Sequence, residues 1–187
     1  MTFRQASALF FIAAWLALLV FPVCACGADA PFDDVKAGAW YYDAAQYAKD
    51  NGFIKGVGKN SFDPEGYVDR AMFVTMLYRL EGKPETAASC PFGDVAPGGW
   101  YEAGVTWAAA NGIVSGYSDL SFRPGDRMSR EQMAAVCYRY AQYKGYDVSA
   151  TADLSSFADA AGAHDWAEDA LGWSVAAGLM GGVGGNA

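Results

Sequence analysis

From Trp40 to Asp50 the apolar positions Trp40, Ala44, Tyr47 and Ala48 recur at helical spacing, and Asn51-Gly52 supplies a stop in which glycine can turn left-handed. A second apolar stripe, Phe73, Met76, Leu77 and Leu80, follows Asp69, a good N-cap. Between the two, Gly56 and Phe62-Asp63-Pro64 read as a loop whose turn buries one aromatic ring. The same order returns later as Gly116, Phe122-Arg123-Pro124 and Ser129-Arg130-Glu131-Gln132, the last a capping box in which Gln132 reaches back to the cap amide. The pattern predicts a mainly α protein built of helix-loop-helix units.

The units are copies. Residues 31–82 laid on 91–142, at an offset of 60 without a gap, coincide at 17 of 52 positions. Among these are Asp34/Asp94, Trp40/Trp100, Gly56/Gly116, Phe62/Phe122, Arg70/Arg130 and Arg79/Arg139. A gapless register at that level marks a duplication. A partial third copy spans 157–187, with Trp166, Trp173 and Gly178 falling 66 residues after Trp100, Trp107 and Gly112. Segments 83–90 and 143–156 read as linkers from their Pro, Ser, Thr and Ala content. A two-helix hairpin cannot bury its stripe alone, so the units are expected to pack on one another. The third copy has no counterpart of Arg70 before Ala187, so Trp166, Leu171 and Trp173 are expected to lack a partner. Self-association or local opening at 157–187 would follow.

Residues 1–28 fall outside this organisation. Arg4 opens an uncharged stretch with the apolar run Leu9 to Val23, and small residues follow at Cys26-Gly27-Ala28 and Ala28-Asp29-Ala30. This is a signal-peptide pattern with cleavage after Ala28 or Ala30, although the run is also long enough for an uncleaved anchor, and Val23-Cys24-Ala25-Cys26 is an imperfect lipoprotein box. Cleavage implies a secreted protein with no membrane partner thereafter. Cys90 and Cys137 then remain in an oxidising space where thiols can pair, whereas the plainer reading makes Cys137 a small core residue, matched to Leu77. No cofactor is implied, and one His with two mature cysteines gives no metal-ligand spacing.

A hydrophobic fraction of 53% against 18% charged residues excludes wholesale disorder. Thirteen Lys/Arg against 21 Asp/Glu leave a net charge of −8, which repels nucleic acid and anionic membrane, so any bound anion must be met locally. Arg70 and Arg130 follow helix caps, where a cation opposes the helix dipole by a few tenths of a kcal/mol. Two readings stand side by side. Either the first-turn amides and the guanidinium grip a carboxylate or phosphate, or the Arg pairs with Asp34 or Asp94. Trp40 and Trp100 can stack on sugar faces, but aromatics at helical spacing are more often core. Asp34 and Asp94 read as turn or cap residues before acid catalysts. Gly56 and Gly116 either satisfy backbone geometry or let a ligand approach.

Phe32-x-Asp34-Val35, Trp40-Tyr41, Asn51-Gly52-x-x-x-Gly56, Phe62-x-Pro64 and Val68-Asp69-Arg70-Ala71 together resemble the S-layer homology repeat, as does the second copy through Ser129-Arg130-Glu131. The resemblance implies a three-unit helical prism with pseudo-threefold symmetry, incomplete in its third unit. It further implies that the inter-unit grooves bind secondary cell-wall polysaccharide, often ketal-pyruvylated, and anchor exported proteins to a bacterial cell wall or S-layer. The family's Thr-Arg-Ala-Glu motif maps onto Asp69-Arg70-Ala71-Met72 and Ser129-Arg130-Glu131-Gln132, with only Arg kept in both. A noncatalytic wall-binding module is the leading expectation, with Arg70, Arg130, Trp40, Trp100, Asp34, Asp94, Gly56 and Gly116 as its candidate binding residues. A structural envelope-assembly protein is the alternative. A carbohydrate hydrolase using Asp34, Asp94 and Glu102 comes third, because duplicated sites would make catalysis redundant and no nucleophile elbow or His-paired nucleophile appears.

Overall fold

The computed structural model describes residues 30–182, so the signal peptide expected at 1–28 lies outside the described residues. Five α-helices are present among them: α1 (Tyr42–Asp50), α2 (Arg70–Leu80), α3 (Glu102–Ala110), α4 (Arg130–Tyr143) and α5 (Glu168–Ala176). Three single 3-10 turns precede α5, and no β-strand occurs among the described residues. The protein is mainly helical, as the periodicity predicts.

Local chemistry sets the helix ends. The Asp69 carboxylate accepts the Met72 amide at 2.7 Å, and Ser129 with Gln132 forms both bonds of the capping box. Asn51 and Asn111 donate their side-chain amides to the carbonyls of Tyr47 and Trp107, each at 2.8 Å, and Gly52 and Gly112 follow with φ of 71° and 69°. These are the stops anticipated from Asn-Gly. Each Phe-x-Pro ring also finds its partner. Phe62 lies on Phe32 and Phe122 on Phe92, with ring centroids 5.5 Å apart in both cases.

Packing between units follows one rule: the second helix of a unit pairs with the first helix of the next. Thus α2 packs on α3, with Tyr78 against Trp107 at 5.7 Å, and α4 packs on α5, with Tyr138 against Trp173 at 5.6 Å. Gly104 permits the first crossing, since a Cβ there would lie 3.3 Å from Tyr78 Cβ and 3.4 Å from Thr75 Cα. The main core gathers Val74, Leu77, Phe92, Val105, Trp107, Ile113, Phe122 and Met128. Glu81 ties the far ends together, accepting from the Tyr140 hydroxyl and from Lys144 Nζ at 2.9 Å.

Two expectations are corrected by this rule. The buried face of α2 is Ala71, Val74, Thr75 and Leu77, whereas Phe73 and Met76 are half-buried and Leu80 is exposed. Small residues face α3 because the helices cross closely, so the covered stripe is rotated from the bulkiest one. Leu171 and Trp173 are not left bare either: α4 provides Ala134, Ala135 and Tyr138 as their neighbours. Trp166 does remain exposed.

The cysteines do not bridge. Cys90 and Cys137 are free and half-buried, Cys90 against the core beside Phe92 and Cys137 on α4, where burial pushes its thiol up to about 11. That raised value keeps the Cys137 thiol protonated and unreactive at neutral pH.

The first unit differs from the second in how much it buries. Only Ala45 of α1 is buried, and Asp43, Gln46 and Lys49 stand where α3 has Ala103, Thr106 and Ala109. Trp107 is 1% exposed, whereas Tyr47, its counterpart, is 56% exposed. Trp107→Ala is therefore expected to cost about 3–5 kcal/mol, and Tyr47→Ala less than about 1 kcal/mol, in paired denaturant unfolding measurements.

Candidate functional site

The repeated Arg residues are placed by the start of each second helix. At α2 the amides of Arg70 and Ala71 donate to the carbonyls of Asp126 and Pro124, at 3.1 and 3.0 Å, and Asp69 holds the third. Those first-turn donors are satisfied by the second unit, so they do not face an anion. The Arg70 side chain crosses the same boundary. Its Nε donates to the Phe122 carbonyl at 2.8 Å and Nη2 to the Ser115 carbonyl at 3.4 Å, with the guanidinium 4.7 Å from the Phe122 ring.

The ion pair considered for Arg70 does not form. Asp34 accepts the amides of Phe62 and Asp63 at 2.8 and 2.7 Å, and Asp94 accepts those of Phe122 and Arg123, both at 2.7 Å. Turn amides converge on each carboxylate from its own unit, which leaves no geometry for the helix-start Arg. Arg70 is 7% exposed and has no carboxylate oxygen of the described residues within 4.0 Å. Desolvation lowers its pKa, the more distant Asp126 and Asp94 charges oppose that shift, and guanidinium keeps its proton at any ordinary pH, so a buried positive charge makes its hydrogen bonds to two neutral carbonyls.

Arg70 forms the floor of a cavity of about 260 Å³. Ser115, Gly116 and Tyr117 line it from the second-unit loop, Gln132 and Arg139 from α4, and Trp166 from the third unit. Arg139 Nη1 lies 3.5 Å from the Ser115 hydroxyl, so two guanidinium groups converge on one residue from different helices. Gln132 donates to the Tyr117 hydroxyl at 3.3 Å, and the Tyr117 ring lies 4.0 Å from the Arg123 guanidinium. No Asp or Glu lines the cavity. Two cations, a hydroxyl and an exposed indole suit a sugar that carries an anionic substituent.

A second, wider groove of about 560 Å³ lies beside Arg130, lined by Leu154, Phe157, Asp159, Leu171 and Met180. Arg130 is exposed and donates from Nη2 to the Gly181 carbonyl at 2.6 Å. Gly181 stands 66 residues after Ser115, the spacing that relates Trp173 to Trp107, so this bond repeats that of Arg70.

Trp40 and Trp100 are 94% and 58% exposed, each edge-on to the following Tyr, so their reading as core residues does not hold. Neither lines these two cavities; Trp166, the third copy, lines the first. Gly56 and Gly116 serve the fold: a Cβ would collide with the ring of Phe32 or Phe92 and with the carbonyl of Ser61 or Ser121. Tyr117, Ser115 and Arg139 were not singled out as binding residues from sequence. Arg139 carried a signal, its repetition as Arg79, but Tyr117 carried none, because Val57 stands at the matching position.

The S-layer homology domain family model matches residues 31–72 and 91–134. The chain carries two S-layer homology domains. Its relatives include an S-layer protein sap from Bacillus anthracis, 30% identical over 66% of this chain and 15% of that protein. A surface-layer 125 kDa protein from Lysinibacillus sphaericus is 28% identical over 90% of this chain and 14% of its own length. An amylopullulanase from Thermoanaerobacterium thermosulfurigenes is 29% identical over 82% of this chain and 8% of its own. The chain spans 8% to 15% of the first relatives it matches. Both S-layer homology domains contain the Asp-to-amide clamp, and the first contributes the buried Arg70.

The clamp predicts an acid dependence. The Phe62 amide first, then that of Asp63, hold the Asp34 carboxyl down from 3.8 to about 2. A folded value below the unfolded one contributes stability above roughly pH 4, which is lost as pH falls toward about 2. Amide exchange at Phe62 and Asp63 is expected to accelerate across that window, and Asp34→Asn is expected to flatten the dependence.

Proposed function

We propose that the chain is a noncatalytic cell-surface anchoring module, exported through its first 28 residues, whose inter-unit groove holds an acidic secondary cell-wall polysaccharide of the ketal-pyruvylated class. The observation that carries this reading is Arg70, a buried guanidinium with no carboxylate of the described residues in salt-bridge contact, facing a cavity shared with Arg139, Ser115 and Trp166. A desolvated cation hydrogen-bonded to carbonyls and not to a carboxylate gains more from an incoming anion than a solvated one, and its planar fork suits a carboxylate. The protein's net charge of −8 does not prevent this, since repulsion from the rest of the surface is screened beyond roughly 8–10 Å.

Relatives named as S-layer proteins and a cellulosome-anchoring protein from Acetivibrio thermocellus support an anchoring role. The hydrolase reading loses its carboxylates. Asp34 and Asp94 are held by turn amides, and Glu102 accepts the Gly98 amide at 2.6 Å. Arg130, in the more open groove, is a second and weaker contact for the polymer.

Arg70 also stitches two units, so its loss changes stability together with binding. Arg139 separates the two, because its one contact in the groove is the long bond to Ser115. Arg139→Ala is expected to weaken sedimentation with isolated cell wall roughly tenfold while leaving the thermal midpoint unchanged. Arg70→Ala is expected to lower both, with Arg70→Lys a poor rescue because the fork is gone. Chemical removal of the wall polysaccharide should abolish retention of the parent protein. A folded Arg139→Ala variant that binds wall like the parent would sink this reading and favour structural assembly.

A further inference from the structure

Trp166 lines the Arg70 cavity from the third unit, and a short chain of contacts leads from α4 to that indole. Glu131, in the first turn of α4, holds His164 twice: its Oε1 accepts the His164 amide at 3.0 Å, and its Oε2 lies 2.9 Å from the ring Nδ1. The His164 carbonyl accepts the Ala167 amide at 2.8 Å and so closes the 3-10 turn Asp165–Ala167 that carries Trp166. The imidazole also lies on the indole, with ring centroids 5.9 Å apart and planes 28° from parallel. One carboxylate thereby fixes both the turn under Trp166 and the ring stacked on it.

The pair is peculiar to this junction. Ala71 and Gly98, which carry no ionisable side chain, stand at the matching positions between the first two units. His164 is the one histidine of the sequence, and histidine is the residue type that ordinarily changes charge between about pH 5 and 8. Around it, α4 supplies Glu131 and, one residue earlier, Arg130, whose guanidinium donates to the Gly181 carbonyl. The turn itself holds Asp165, and α5 opens with Glu168 and Asp169. Of these charged groups, Glu131 is the one in ion-pair contact with the imidazole. Arg70 and Arg139 share the cavity with Trp166. A neutral imidazole can donate Nδ1–H to Glu131. The protonated ring adds a full charge to that bond, attracts the indole face, and offsets the Glu131 carboxylate close to where an anion is to be held.

We propose that Glu131 and His164 are positioning residues of this cavity and make its hold on an acidic polysaccharide depend on pH, through the charge on His164. The inference rests on the wall-binding reading of the Arg70 cavity. Linkage fixes its sign. Charged His164 favours the bound anion, so the bound anion favours charged His164, the protein takes up protons on binding, and affinity falls as pH rises through the imidazole range.

Sedimentation of the full chain with isolated cell wall at about pH 5.5 and about pH 8 tests this. The parent is expected to bind roughly three- to fivefold more tightly at the lower pH. Position 164 is exposed, so substitutions there spare the fold. His164→Gln should bind at the parent's higher-pH level at both values. His164→Arg, whose charge is permanent and whose planar head can still stack and pair, should bind at the parent's lower-pH level at both. The wall's own titration is common to parent and variants. In the free protein, the Trp166 indole N–H resonance, assigned by its loss in Trp166→Phe, should move over the same pH range in the parent and stay in place in His164→Gln. A parent that sediments equally at both pH values, or a His164→Gln variant that keeps the parent's pH step, would overturn the proposal and leave the wall-binding reading standing. A parent that fails to sediment at either pH would overturn the wall-binding reading, and the proposal with it.

Discussion

The crossing of each second helix over the first helix of the following unit is the interaction on which the rest of this molecule depends. A single helix-loop-helix unit has too little apolar surface to close a core, and the first unit shows it, with only Phe32, Val35 and Ala45 in its own buried cluster. The large core appears where α2 meets α3 and draws in Trp107, Ile113 and Phe122. Because stability is shared across boundaries, residues that look like surface decoration on one unit become internal to the pair. Arg70 is the clearest case: it begins a helix in one unit and terminates hydrogen bonds in the next.

That dependence explains which features could be read from the sequence. Caps, Asn-Gly stops and the Phe-x-Pro turn are decided within a few residues, and Asp69, Ser129, Asn51 and Asn111 all act as local chemistry requires. The duplication and the helical class were equally legible, since both survive as spacing. Orientation was not. The stripe Phe73, Met76, Leu77 and Leu80 is apolar by count, but the close crossing selects the small face with Ala71, Val74 and Thr75. Trp40 and Trp100 obey helical spacing and still point into solvent, because periodicity says which residues share a face and not whether a neighbour arrives to cover it.

The site was half legible for the same reason. Repetition singled out Arg70, and the mismatch between a cation and a helix N-terminus was a sound reason to look for a partner. The partners themselves, two carbonyls from another unit, are invisible to side-chain patterning. Asp34 and Asp94 were rightly suspected as turn residues, and their engagement is why the ion pair fails. Ser115, Tyr117 and Arg139 converge with Arg70 only because the second-unit loop and α4 fold against α2. Of these, repetition could have promoted Arg139 alone.

The first and third units are chemically unlike. At the first unit α1 buries only Ala45, with Asp43 exposed and Gln46 and Lys49 half-buried. At the third unit the exposed groove includes Phe157, Leu171 and Met180, with Arg130 at its edge. The asymmetry also separates two demands on a repeated Arg. At Arg70 the guanidinium is buried, held in one geometry and presented to a cavity. At Arg130 the same residue is solvated and holds the Gly181 carbonyl. A desolvated, fixed cation attracts an anion more strongly than a solvated one, so the cover that the neighbouring unit gives the guanidinium, more than the Arg itself, separates the two positions electrostatically.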